Sequence, residues 1–215
     1  MTDTDPRNRA DGTAPPAPLI LASGSATRRA LLERAGVPIA AIDPPEVDEA
    51  AIRADVRREG RSGEAAAMAL AIAKARVVSV RHAGALVLGA DQILETEDGA
   101  WLEKPADRAA ARAQLRRLSG TTHRLISAAV LMRDGADGGQ VVDSAALTLR
   151  PLSDRFLDTY IATVGDGVLS SVGAYQIEGV GLQLFSIIDG DYFTILGLPM
   201  VAVLALLRTH GVVGT

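Results

Sequence analysis

The chain of 215 residues contains no cysteine, which excludes disulfides, thiolate metal sites and a cysteine nucleophile together. Aromatic residues are scarce. One tryptophan, three tyrosines and three phenylalanines give no repeated platform on which the bases of a single strand would stack. Positive charge is not in excess either: the net charge is −4 and the pI about 5.4, so the electrostatic footprint of a protein held to a nucleic-acid backbone is missing. A locally basic pocket for single nucleotides stays open. No apolar run approaches the roughly 18 residues needed to span a bilayer. The opening MTDTDPRNRADGTAPPAP lacks the basic start and apolar stretch of a secretory signal. These absences predict a cytoplasmic protein with neither a membrane nor a nucleic-acid partner, and with a disordered tail over residues 1–17.

Lysine is the most informative scarcity. Of 22 basic residues only Lys74 and Lys104 are lysines. A chain that draws nearly all its positive charge from arginine keeps lysine where a compact ammonium is needed, as in a point contact with a phosphate oxygen. A GC-rich coding bias produces the same skew by chance, so the count alone decides nothing.

What is present is the balance of a globular protein, with 48% apolar and 22% charged residues. The length suits one domain over residues 18–215, with a core large enough for two lobes. LILA (19–22) reads as a buried strand leading into Ser23-Gly24-Ser25. Residues 26–35 have helical spacing, with Gly36 as the stop. VPIAAI leads into the acidic loop DPPEVDEA, which carries Glu49. The longest helical candidate covers 63–82. ALVLGADQILE reads as a strand bent at Gly89-Ala90, and Asp98-Gly99 as a tight turn. A helix over 106–118 precedes two strands joined by the linker DGADGG. A helix over 153–163, a Gly-rich segment, strand-like FSII and the helix PMVAVLALLR complete the chain. Helices and strands alternate irregularly around a central hairpin, which predicts a mixed sheet.

Several side chains are suited to phosphate chemistry. Ser23, Ser25 and Arg28 sit where a strand hands over to a helix, and hydroxyls, backbone N–H groups and the helix dipole make an anion site there; an ordinary serine cap fits the same residues. The P-loop pattern GxxxxGK[ST] is absent. Asp91 follows the apolar run LVLGA, at the expected end of a buried strand, and Glu49 lies on a loop able to fold toward it. Two such carboxylates suit one Mg²⁺ that keeps several waters; a turn aspartate and a solvated glutamate are the plain alternatives. His82, His123 and His210 are scattered and read as surface or structural residues. GxSxG is missing, so a serine nucleophile has no support.

The blocks LILASGSATRRALLERAG, PPEVDEA, AMALAIAKA, LGADQIL, EKPADRAAARAQLRRLSGTTH, VGAYQIEGVGLQLF and GDYFTILGLPM, in this order over residues 18–209, resemble those of the Maf-like nucleotide pyrophosphatases. The resemblance implies a mixed, twisted α/β sheet with flanking helices and two lobes around a nucleotide cleft, the Maf/ITPase-like arrangement. It implies hydrolysis of a nucleoside triphosphate to its monophosphate and pyrophosphate with Mg²⁺ or Mn²⁺, and a homodimer as one assembly. By matching motif positions, Asp91 is implied as the catalytic proton acceptor, with Glu49, Lys74 and Lys104 as the other active-site charges. Asp91 and Glu49 would hold the metal, and Ser23, Ser25 and Arg28 the phosphates.

Departures concern the base. The family loop SxSPRR is SGSATRR here, with Ala26 for proline and Thr27 for the first arginine. Gln92 in GADQ and Glu178 in AYQIEG resemble the branch acting on 7-methyl-GTP rather than on dTTP or UTP. A carboxylate there would accept hydrogen bonds from the guanine edge and complement a methylated ring. A nucleotide-binding regulator of septum formation with little turnover is the competing class, and retention of the four active-site charges speaks for turnover.

Overall fold

Strands of 2–14 residues assemble, among the described residues, into one seven-stranded sheet. The computed structural model describes residues 17–214, so residues 1–16 of the expected tail lie outside the described residues. The strands are β1 (Leu19–Ala22), β2 (Ile39–Ile42), β3 (Leu86–Thr96), β4 (Trp101–Leu102), β5 (Thr122–Arg133), β6 (Ala136–Leu149) and β7 (Phe185–Asp189). Their order is β2-β1-β3-β5-β6-β7, with β4 on β3. β1 runs parallel to β2 and β3, and every other pairing is antiparallel. The sheet is therefore mixed, as the irregular alternation predicts.

Among the described residues seven α-helices flank it: α1 (Ala26–Arg34), α2 (Glu49–Arg58), α3 (Gly63–Ser79), α4 (Arg108–Leu118), α5 (Asp154–Val164), α6 (Tyr192–Ile195) and α7 (Met200–Thr209). Alternation along β1 and β3 builds two cores in one lobe. Ile20, Val87 and Ile93 meet α3 through Leu70, Ala71 and Ala75, while Leu21, Leu86 and Leu88 meet α1 and α7. A second lobe forms where α4 and α5 pack on the far ends of β3, β5 and β6 through Leu94, Leu125 and Leu147. β1 ends where Ala22 pairs with Gly89, yet β3 runs on to Thr96. This step between the lobes opens a cleft.

Three local expectations need correction. Glu49 is not on a loop: Asp48 caps α2 by accepting from Ala51 N at 2.9 Å, and Glu49 is the first helical residue. β3 does not end at Asp91: its ladder with β5 runs unbroken from Val87 to Thr96. The β5–β6 linker is only Asp134-Gly135, whose φ values of 51° and 78° suit a two-residue hairpin turn; the rest of DGADGG joins β6. The short helix α6 falls inside GDYFTILGLPM, where four residues leave no periodic signal.

Gly89 governs how closely α3 approaches β3. A Cβ there would lie 2.5 Å from Ala71 O and 2.8 Å from Ala75 N, both backbone atoms that cannot yield cheaply. Gly89→Ala is expected to cost about 1–3 kcal/mol through overpacking and to push Lys74, on the same helix, away from β3. Urea unfolding of the variant measures the first effect; a midpoint equal to that of the parent would contradict it.

His123 is structural, as its isolation in the sequence suggests. It is 1% exposed, its Nε2 lies 2.5 Å from Tyr175 Oη, and its Nδ1 is buried without a partner. Burial lowers its pKa from 6.5 to about 4. The fold thus binds the neutral ring, and the unfolded chain takes up the proton first. Stability is fully present above pH 6.5 and is lost as pH falls toward 4, by about 2 kcal/mol at pH 5 and roughly 3 at pH 4. Denaturation midpoints across this range should fall steeply in the parent and less in His123→Gln. Equal slopes would remove His123 as the cause.

Candidate active site

Where β1 ends, the chain turns out as Ser23-Gly24-Ser25 and enters α1. Ser23 Oγ accepts from Ser25 N at 3.2 Å, and Ser25 Oγ caps α1 by accepting from Arg28 N at 3.3 Å. Arg28 folds back into the step in the sheet. Its Nε donates to Gly197 O at 2.8 Å, and its Nη1 to Ala90 O at 2.9 Å and Ser23 Oγ at 3.3 Å. Burial lowers the pKa of this guanidinium while Asp91 and Glu49 oppose the shift, and it stays charged. Three positions of the loop, strand and following turn are fixed by one side chain, which leaves Nη2 with no hydrogen bond among the described residues.

Asp91 lies on the α3 side of β3, two residues past Gly89, and is 6% exposed. The close approach of α3 brings Lys74 Nζ into a short contact with Asp91 Oδ1 and within 2.7 Å of Glu49 Oε1. Glu49 also accepts from Arg53 Nη1 at 3.2 Å, one turn along α2, and Arg53 Nη2 reaches Glu103 Oε1 at 2.9 Å. Burial alone would raise the Glu49 pKa; Lys74 and then Arg53 outweigh it and hold Glu49 below the ordinary value. Charges therefore alternate along a ladder from Asp91 through Lys74, Glu49 and Arg53 to Glu103. Lys104 follows Glu103, is exposed, and forms no ion pair among the described residues.

These groups line one cleft of about 620 Å³, a volume suited to a small ligand. Arg28, Arg53, Lys74 and Lys104 face Asp91, Glu49 and Glu103 there, four cations against three carboxylates. Pro44, Ile93, Leu102, Val172 and Leu196 supply apolar wall from both lobes. Thr27 and Gln92 also line it. The Gln92 amide nitrogen donates to Ser127 Oγ, Thr194 O and Ile195 O at 3.0–3.1 Å, which fixes the amide orientation and leaves Oε1 as its free acceptor. Glu178 does not join them: it is exposed and absent from the cleft wall.

The structure thus brings together Ser23, Ser25, Thr27, Arg28, Glu49, Lys74, Asp91, Gln92 and Lys104. Arg53 and Glu103 complete the wall and were not singled out from sequence. The Glu49–Arg53 spacing of four on a helix was a readable signal, once Asp48 is recognised as a cap. The pairing with Glu103, 50 residues away, had none.

No described helix is long and apolar enough to cross a membrane. The profile of the family described as Maf-like protein matches residues 18–210. A nucleoside triphosphate pyrophosphatase of Paramagnetospirillum magneticum is 49% identical over 192 residues, spanning 89% of this chain and 98% of the relative. A 7-methyl-GTP pyrophosphatase of Mesorhizobium japonicum is 51% identical over 195 residues, spanning 91% and 97%. Among solved structures, a nucleoside-triphosphatase (dITP/XTP pyrophosphatase) from Mycobacterium abscessus superposes with a TM-score of 0.41 at 17% identity, over 90% of this chain and 94% of that one. With its blocks in order, its charges gathered in one cleft and a match along almost the whole described chain, this protein belongs to the Maf-like family.

Proposed function

We propose that the protein hydrolyses a nucleoside triphosphate to the monophosphate and pyrophosphate, with 7-methyl-GTP or another modified nucleotide preferred. The observation that carries this reading is Lys74 clasped between Asp91 and Glu49 beside the Ser23–Ser25 loop, an acid–base pair adjoining an anion site. The names of the two relatives support the reaction, and one of them supports the base.

The triphosphate would be held at the N-terminus of α1, by Ser23, Ser25 and backbone N–H groups, with Arg28 Nη2 and Lys104 as the free cationic donors. Asp91 would orient a water and take its proton as the water attacks the α-phosphorus. The bond from that phosphorus to the bridging oxygen breaks, and pyrophosphate leaves with the electron pair. Lys74 holds the Asp91 carboxylate in place through its ammonium contact, and with Arg28 and Lys104 balances charge on the phosphates.

A divalent metal fits the donor set. Asp91 and Glu49 offer hard oxygens, and among the described residues no three His, Cys, Asp or Glu side chains converge into a cage. Mg²⁺ or Mn²⁺ with most ligands from phosphate and water matches such a pair. When bound, it would supply charge neutralisation on the phosphates.

Base preference rests on Gln92 rather than Glu178. Gln92 lines the cleft, and with its amide nitrogen engaged by Ser127, Thr194 and Ile195 its Oε1 would be the acceptor for the N1–H and N2–H₂ donors of guanine. The test is pyrophosphate release with Mg²⁺ or Mn²⁺ from GTP, 7-methyl-GTP, dTTP, UTP and CTP. Release led by 7-methyl-GTP is the expected result. A lead for dTTP or UTP would overturn the base assignment, and no release from any of them would favour the binding regulator.

A further inference from the structure

The ion ladder ends in a pairing that the reaction above does not use. Arg53 is 17% exposed at its side chain, and its buried Nε has no partner. Its outer Nη2 points across the cleft to Glu103, which is 63% exposed. The main chain of Glu103 is tied down, since its carbonyl accepts from Gln114 Nε2 of α4 at 2.8 Å. Its carboxylate is therefore the mobile end of the contact: it can leave Arg53 by rotating into solvent, with no movement of the loop. A guanidinium in a cleft wall that reaches a solvent-facing carboxylate presents the geometry with which arginine takes a phosphate oxygen.

We propose that Arg53 is a further polyphosphate contact, and that Glu103 is an intramolecular anion covering it until substrate arrives. The inference rests on the pyrophosphatase reading. Charge in the cleft agrees with it. Four cations and three carboxylates leave one net positive charge while Glu103 is in place, and two once it swings out. Two is the charge that complements a triphosphate carrying one divalent cation. Glu103 thus competes with the phosphate tail, and it also screens Arg53 from weaker anions. Arg53 keeps its second bond, to Glu49, throughout, so the ladder to Asp91 is not broken when Glu103 leaves.

The sign of one effect separates this role from a structural one. If the Arg53–Glu103 pair only braced the cleft, Glu103→Gln would loosen the loop before Lys104 and weaken binding. As a displaceable cover, Glu103→Gln should instead bind Mg²⁺-pyrophosphate about 3- to 10-fold more tightly in calorimetry and lower KM for the triphosphate by a similar factor. Arg53→Gln should weaken pyrophosphate binding about 10-fold, with Arg53→Lys between it and the parent. In the double variant the gain from Glu103→Gln should vanish, because the group it uncovers is gone. Pyrophosphate binding by Glu103→Gln that is no tighter than the parent's, in a parent that hydrolyses triphosphates, overturns the inference. A gain that persists in the double variant also overturns it. A parent that hydrolyses none of the triphosphates fails on the pyrophosphatase reading itself, which the parent assay registers separately.

Discussion

Asp91→Asn is expected to lower kcat about 10³-fold, within the range for loss of a positioned general base, or about 4 kcal/mol of barrier. Asparagine is isosteric, and its amide oxygen can keep the contact with Lys74 Nζ, so the fold and the ladder to Glu49 survive. What is lost is the proton acceptor. Nucleotide affinity should fall far less than the rate, because Glu49 and the asparagine amide oxygen can still hold the metal and the phosphate-facing groups, Ser23, Ser25, Arg28 and Lys104, lie on other segments. Single-turnover kinetics together with calorimetric affinity for a triphosphate separate these quantities. Turnover near that of the parent would remove Asp91 from the mechanism. A fall in affinity as large as the fall in rate would make it a binding residue.

The second large effect concerns the chemical kind of the cation at position 74. Lys74→Arg keeps the charge but should still lower kcat on the order of 100-fold, roughly 2.7 kcal/mol. The ammonium sits 11% exposed on the helix face that Gly89 lets close to the sheet, touching Asp91 and standing 2.7 Å from Glu49 Oε1. A planar guanidinium is wider and its fork is rigid, so it has to push Asp91 or Glu49 off line. Lys74→Met should lose at least as much, since two carboxylates then share the wall with no cation between them. Steady-state rates of both variants, with a thermal melt to confirm folding, check this. Full activity in Lys74→Arg would show that only charge matters there, and the meaning read into the scarcity of lysine would fail.

Legibility from sequence followed the range of the interactions. The mixed sheet could be read because the apolar runs are short, bounded by glycine, and interrupted by a hairpin. Asp91 stood out because a carboxylate directly after LVLGA has to end on a buried strand. Lys74 stood out because the chain has so few lysines, but nothing local showed that α3 would lay it against Asp91. That depends on Gly89, read from sequence only as a bend. Glu49 was placed on a loop because two prolines precede it, and the capping carboxylate of Asp48 won. The segment over 165–184 folds as three short 3₁₀ turns whose glycines carry no periodic signal. Motif position alone therefore put Glu178 beside the base, whereas it stands outside the cleft wall. Arg53 was hidden for the opposite reason, since its partner lies on a distant loop.

The central claim is that water, oriented by Asp91, attacks the α-phosphorus. Hydrolysis of the preferred triphosphate in oxygen-18 water, followed by mass spectrometry of both products, tests it directly. Attack at that atom leaves one labelled oxygen in the nucleoside monophosphate and none in the pyrophosphate. Label in the pyrophosphate, or release of orthophosphate and a nucleoside diphosphate, would contradict it.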